Sequence, residues 1–124
     1  MPSSIPPPDS HYITLAQFLL MKQAYADNKN SILQPPFQGS EFLCISELFN
    51  IDAINTLAAV DACAGMRIYY GMDPEKKVHA MMVAVGQDGR DILPDAQAAK
   101  FAAASGTKPP IVEEGQRCPP SCPP

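Results

Sequence analysis

The placement of proline constrains this fold more than any other feature of the sequence. Ten of the fourteen prolines lie within the first eight or the last sixteen of the 124 residues. Proline lacks an amide hydrogen and fixes φ at about −65°, so it is disfavoured inside helices and central strands. The sequence therefore predicts a proline-rich extended arm at 1–11, a single domain at 12–106 and an extended tail at 107–124.

The composition predicts a folded protein with few charges. Hydrophobic residues make up 46% of the chain and charged residues 18%, which is enough apolar surface for a core. The net charge of −4 includes no basic run, so we expect no nucleic-acid partner. The start resembles no secretory signal, and no apolar run approaches the roughly 18 residues of a membrane span. These features predict a cytoplasmic protein with reduced cysteines.

The strongest helix signal lies near the N-terminus. Thr14 is a favourable N-cap, and Gln17 stands three residues later, where it can complete a capping box. The apolar residues that follow are spread widely round the helix, so it is expected to pack against more than one element. We predict that this helix runs to about Asn28.

Two more helices are predicted before the chain changes its pattern. The apolar spacing of SEFLCISELF fits a helix or a strand, and we favour a helix capped by Ser40. The next helix is clearer, because Asn50 can cap it and Asp52 lies in its positive first turn. Gly65 is expected to end this helix in the left-handed conformation.

The segment from Met66 to Leu93 changes to a period of two and predicts a three-stranded antiparallel meander. Asp88-Gly89 is a favoured type I′ turn pair, which would place Val85 opposite Ile92. The fold class is therefore α+β, with N-terminal helices packed on the meander and proline-rich extended arms at both ends.

The central predicted strand, VHAMMVAV, is apolar on both faces and needs two covers. A helix over DAQAAKFAAAS, ending at Gly106, offers one large apolar side chain, Phe101. We therefore expect an arm or a second copy of the chain to supply the missing cover.

One candidate ligand site falls on the predicted sheet. If Tyr69 pairs with His79, these two residues and Arg67 share a face, and Arg90 lies nearby. Such a cluster can bind a carboxylate or phosphate. The structural alternative is that these side chains cover apolar neighbours as cross-strand partners.

The same region also offers a candidate cysteine nucleophile. In that hypothesis Cys63 would attack the substrate and His79 would act as its base. Cys63 is expected near a helix C-terminus, where the dipole disfavours the thiolate, so we predict no enzymatic activity.

The tail contains Cys118 and Cys122, each followed by two prolines. Three readings stay open: thiols incidental to a docking tail, a redox or cross-linking pair, or metal ligands. Zinc usually requires four ligands, and polyproline geometry at about 3.1 Å per residue separates the thiols too far for a disulfide. Only a turn at Pro120-Ser121 would bring them together.

The residues before these cysteines favour a docking role for the tail. Ile111 and Val112 form an apolar pair that can anchor an extended strap in a groove. We predict no cofactor and no metal.

The runs LAAVDACAGMRIYYGMD, GQDGRDIL and EEGQRCPPSCPP are similar to a family of small uncharacterised bacterial proteins, in which a helix ending in Cys-x-Gly leads into a β-hairpin. The resemblance covers about the last two thirds of the chain. It implies a bacterial cytoplasmic origin and a tail that belongs to the module, and it implies no activity or ligand.

Together these features predict a non-enzymatic protein–protein interaction or self-assembly module that uses its sheet face and proline-rich tail. Its partner would be itself or a dedicated protein. The alternative is a small-molecule-binding, redox or metal module that uses the tail cysteines.

Overall fold

A computed structural model describes residues 5–39, 41–94 and 111–124 of the chain. The fold is α+β, as predicted, with two α-helices and six short or medium strands over these residues. The chain divides into two compact units. The first comprises Met1–Pro6, Phe49–Tyr70 and Ala80–Glu114, and the second comprises Pro7–Leu48, Gly71–His79 and Gly115–Pro124.

The first unit is built on a four-stranded sheet beside one helix. Its elements are α2 (Ile51–Ala58), β2 (Gly65–Met72), β3 (Val78–Val85), β4 (Asp91–Ile92) and β5 (Ile111–Val112), with the last two residues of β2 and the first two of β3 assigned to the second unit. The strand order is β2-β3-β4, and β5 also pairs with β3. Both β4 and β5 run antiparallel to β3, so β3 is the centre of the sheet.

The core of the first unit is small and lies on β3. Leu57 of α2, Met82 and Ala84 of β3 and Val112 of β5 form its buried cluster. The whole stretch Met82–Val85 is buried, and because successive strand residues face opposite sides, both of its faces are covered. The second cover was expected from an arm or a second copy, and Val112, which belongs to the predicted tail, lies in the cluster with Met82 and Ala84.

Helix α2 begins as predicted and ends early. The Asn50 side chain accepts a hydrogen bond from the Asp52 amide, which confirms the cap. The helix stops at Ala58, and the residue in the left-handed region is Ala62, with φ of 66°. Gly65 instead begins β2, so its predicted role at the helix end is wrong.

The β3–β4 hairpin differs from the predicted type I′ turn. The Gly86 amide donates to the Arg90 carbonyl, and the Gly89 amide donates back to the Gly86 carbonyl. Of the two predicted turn residues only Gly89 has positive φ, at 82°. This is the pattern of a three-residue loop whose last residue is left-handed.

This loop shifts the register by one residue. Val85 pairs with Asp91, and Ala84 pairs with Ile92. A shift of one residue moves a side chain to the other face of the sheet. Ile92 therefore packs against the core cluster of Met82 and Ala84, and Asp91 takes the face predicted for Ile92.

The second unit contains α1 (Leu15–Asn28), β1 (Ser46–Leu48) and β6 (Gln116–Cys118), with short 3-10 turns at Pro8–His11 and Pro35–Phe37. The capping box at the start of α1 is confirmed in both directions, and the helix ends where predicted. Strands β1 and β6 form an antiparallel pair in which Ser46 is opposite Cys118.

The helix favoured over SEFLCISELF is wrong. Residues Ser46–Leu48 form β1, because β6, some 70 positions later, supplies the strand partner. Just before β1, the Ile45 amide donates to the Cys118 carbonyl. The proposed cap Ser40 lies outside the described residues, as do the predicted helix at 95–105 and its end at Gly106.

Candidate functional site

Helix α1 presents its large apolar side chains to solvent. None of its residues is buried. Its exposed apolar residues are Leu15, Phe18, Leu19, Leu20, Met21 and Tyr25. At about 100° per residue they point round most of the helix, with Leu20 nearly opposite Leu15. We call these six residues the α1 surface.

Helix α1 makes hydrogen bonds near both of its ends, although none of its residues is buried. At the N-terminus the Thr14 hydroxyl oxygen accepts from the Gln17 amide at 3.1 Å. Toward the C-terminus the Tyr25 hydroxyl donates to the Cys44 carbonyl at 2.7 Å. Partial burial raises the pKa of Tyr25, and Cys44 nearby adds to the rise. The capping box therefore stabilises the first turn of α1, and the Tyr25 bond ties the helix to the segment before β1, while its apolar surface stays exposed.

Strand β2 provides a second exposed surface, in the first unit. It stands at one end of the strand order among the described residues. Met66, Ile68 and Tyr70 alternate on one face, and Tyr70 is 77% exposed. An exposed apolar edge strand is a template for pairing with another chain.

The opposite face of β2 carries a closed polar cluster. Arg67 and Tyr69 both donate to the carboxylate of Asp91, and Arg67 also donates to the Gly89 carbonyl at 3.2 Å. The hydrogen bond to Asp91 raises the pKa of Arg67 and that of Tyr69. The Arg67 charge is thus already compensated by a carboxylate, which weakens its use as an anion site.

The other two residues of the predicted ligand site lie elsewhere. Arg90 is 88% exposed on the β3–β4 loop, with its Nε 3.9 Å from the Asp88 carboxylate. This loop borders an open depression of about 590 Å³ that includes Ala62 and Leu93. His79 belongs to the second unit and has partners of its own.

The His79 imidazole lies between two carboxylates. Its Nε2 is 2.7 Å from Oδ2 of Asp73, and its Nδ1 is 3.8 Å from Oε1 of Glu47. The hydrogen bond to His79, and then that from the Lys77 amide, lower the pKa of Asp73. The amides of Glu75 and Lys77 both donate to the other Asp73 oxygen, so this carboxylate organises the β2–β3 turn.

Arg117 is the residue that most clearly joins the second unit. It lies opposite Glu47 across the β1–β6 pair. Its guanidinium donates to the carbonyls of Glu41, Phe42 and Val78 at 3.1 to 3.2 Å. Sequence reasoning missed this role, because the three acceptors are backbone atoms 39 to 76 residues away.

A disulfide joins Cys118 to Cys122, with the Cα atoms 4.5 Å apart. The predicted extended geometry is therefore wrong here. The chain turns at 119–121, where the Ser121 amide donates to the Arg117 carbonyl at 2.8 Å, and the peptide bonds before Pro119 and Pro120 are cis. Within 5–39, 41–94 and 111–124, no group of three or more His, Cys, Asp or Glu residues is placed to hold a metal ion.

The predicted anchor pair of the tail forms β5. Val112 pairs with Met82 and is buried in the core, whereas Ile111 pairs with Val83 and is half exposed. Both residues therefore contact the chain's own central strand through its backbone.

The contacts of Cys63 are those of a packing residue. Its thiol donates to the Gly65 carbonyl at 3.3 Å, and the side chain packs against the core of the first unit. The imidazole of His79, its suggested base, is hydrogen-bonded to Asp73. Nothing in this arrangement favours a cysteine nucleophile.

Comparisons with known proteins give no indication of function. No family model, no curated protein and no solved structure matches the chain. The likeness to small bacterial proteins stays a prediction. Over the part of the chain that the structure describes, no helix is long and apolar enough to cross a membrane.

Proposed function

We propose that this protein is a non-enzymatic self-assembly module whose principal contact is the α1 surface, with a second copy of the chain as its partner. The observation that carries the proposal is that α1 has six large apolar side chains and no buried residue. A helix that is apolar on all sides is normally enclosed by protein or lipid. Burying the α1 surface against a partner would remove this apolar area from water.

A protein partner fits α1 better than a membrane surface. Helices that lie on membranes separate an apolar face from a polar face rich in lysine and arginine. In α1 the apolar residues are spread round the axis, and Lys22 is the only basic residue within Leu15–Asn28. The same scarcity of charge argues against a partner chosen by electrostatic attraction, and supports association of like surfaces.

The exposed edge of β2 offers a second contact for assembly. Two copies can pair such edges antiparallel about a two-fold axis. Each residue pair across the interface then occurs twice, once with each copy supplying the first residue. The proposal retains the β2-β3-β4 meander as the platform that presents this edge. The proline-rich tail would support assembly from within the chain, since its described strands β5 and β6 pair with β3 and β1.

Sedimentation velocity on the full chain tests the proposal. The wild type is expected to show a concentration-dependent dimer. Leu20 is 72% exposed on α1. In the Leu20→Lys variant the dissociation constant of the dimer should rise at least about tenfold. Asn55→Lys introduces the same charge at an exposed polar position of α2, outside the α1 surface, and should leave the dimer intact.

Two results would count against assembly through α1. One is a wild type that sediments as a monomer up to high concentration. The other is a dimer whose dissociation constant changes equally in Leu20→Lys and Asn55→Lys. A dimer insensitive to both substitutions would move the contact to the β2 edge, which Ile68→Lys would then disrupt.

A redox module is the second candidate, and the Cys118–Cys122 disulfide supports it. In a cytoplasmic protein, as the sequence predicts, a disulfide is usually transient and serves catalysis or sensing. Titrating thiols in a glutathione redox series would test this role. The candidate is supported if the pair opens and closes while the fold persists, and it fails if the pair opens only on unfolding.

A further inference from the structure

The two sulfur-bearing residues of the tail disulfide differ sharply in accessibility. Cys118 is 4% exposed and lies in β6, whereas Cys122 is exposed in the last four residues of the chain. The two residues are only four positions apart. An incoming thiolate attacks a disulfide sulfur from the side opposite the bond that breaks, so access decides which sulfur reacts.

Hydrogen bonds hold β6, the strand that contains Cys118, against β1 independently of the disulfide. The Cys118 carbonyl accepts from the Ile45 amide at 2.6 Å, and the residue pairs with Ser46 in the β1–β6 ladder. Next to it, Arg117 donates to three backbone carbonyls. Opening the disulfide therefore leaves Cys118 in place and frees only the end of the chain.

We propose that this disulfide is a directional thiol–disulfide exchange site, in which an external thiol attacks Sγ of Cys122 and Cys118 is the leaving group. The thiolate forms a new S–S bond to Cys122 as the Cys118–Cys122 bond breaks, and the electron pair of that bond goes to Cys118 as a thiolate. The chemical class of the co-reactant is a small or peptide thiol. This inference rests on the redox candidate above.

The exchange is reversible, and its reverse needs no other residue. The Cys118 thiolate, fixed in β6, attacks Sγ of Cys122 in the mixed disulfide. The bond to the external thiol breaks, and that thiol leaves as a thiolate while the tail disulfide closes again. Exposure of Cys122 and burial of Cys118 give the two sulfurs different roles, one as the docking point and the other as the resolving group.

The test uses the full chain with its two other cysteines replaced, as Cys44→Ser with Cys63→Ala. The chain is treated with reduced glutathione, quenched with acid and alkylated, and the glutathione adduct is located by fragmentation mass spectrometry. The adduct is expected on Cys122 in at least about tenfold excess over Cys118. Circular dichroism should be unchanged when the disulfide is open.

A second measurement keeps the assignment of roles falsifiable. Cys118→Ser leaves Cys122 as the only tail thiol, and Cys122→Ser leaves Cys118. With oxidised glutathione, Cys122 is expected to react at least about tenfold faster than Cys118. If either variant unfolds, the adduct distribution in the first chain still decides the direction.

The outcomes separate the direction of attack from the redox role itself. Adducts on Cys118, or equal adducts on both residues, overturn the directional proposal while leaving exchange intact. A disulfide that glutathione opens only together with loss of the circular dichroism signal overturns the redox candidate and the proposal that rests on it.

Discussion

The two units of this protein are stabilised in different ways. In the first, an apolar cluster of Leu57, Met82, Ala84 and Val112 packs between a helix and a sheet. In the second, the one buried hydrophobic residue among those described is Cys118, and the contacts that join distant segments are polar. Arg117 makes such contacts with the carbonyls of Phe42 and Val78, and Tyr25 makes one with the carbonyl of Cys44.

The difference between an apolar core and polar contacts explains why the second unit can leave α1 exposed. Stability that comes from hydrogen bonds of a few fixed groups does not require a helix to bury its side chains. The second unit can therefore keep α1 capped and positioned with its apolar surface free. In the first unit the helix is part of the core, and Leu57 is completely buried.

The largest expected effect is on the apolar core. Leu57→Ala should lower the free energy of unfolding by about 3 kcal/mol, because it removes methyl groups and leaves a cavity. Ile51→Ala, on the same helix but 65% exposed, should cost less than about 1 kcal/mol. Urea denaturation measures both, and equal losses would mean that α2 is not packed as described.

Arg117→Met tests the polar unit and should cost about 2 kcal/mol, because three backbone carbonyls lose a charged donor. The matched control is Arg90→Met, whose side chain is 88% exposed and which should change stability by less than about 0.5 kcal/mol. A negligible loss in Arg117→Met would contradict the assignment of Arg117 as the residue that joins this unit.

Gly89→Ala should cost about 1 kcal/mol, because φ of 82° is unfavourable for a residue with a side chain. Gly65→Ala is the control, since its added methyl group would meet Ile5 at an ordinary 3.4 Å. Thermal unfolding compares the two. If both substitutions are equally mild, the three-residue loop that sets the β4 register is incorrect.

The smallest expected effect is an acid dependence of the second unit. Hydrogen bonds from His79 and the Lys77 amide lower the pKa of Asp73, so its ionised form stabilises the folded state above its unfolded pKa of about 3.9. This stabilisation is lost as the pH falls below about 4 and through the folded pKa. Asp73→Asn should therefore lose less stability than the wild type on acidification, and parallel acid unfolding curves would refute this.

Local features of the fold could be predicted from the sequence. The Thr14 capping box, the Asn50 cap and the strands around the β2–β3 turn each depend on residues a few positions apart. Such patterns have local causes, so they can be read without knowing the partners. The one-residue shift at Ile92 shows the limit, since Asp88-Gly89 permits more than one loop.

The polar contacts could not be predicted, because they join residues that are distant in sequence. No sequence pattern gives Asp91 a role, although its carboxylate accepts hydrogen bonds from both Arg67 and Tyr69. The spacing of SEFLCISELF favours a helix, and the distant strand β6 is what makes Ser46–Leu48 a strand. The bonds of Arg117 go to backbone carbonyls, which every residue has and no sequence pattern marks.

Hydrogen exchange at two protein concentrations tests the central claim, that the α1 surface is covered by a second copy. At high concentration the amides of α1 should exchange more slowly than in dilute solution, while those of Met82–Val85 should exchange at the same rate in both. If the α1 amides exchange at one rate across the concentration range, α1 stays exposed and the claim is contradicted.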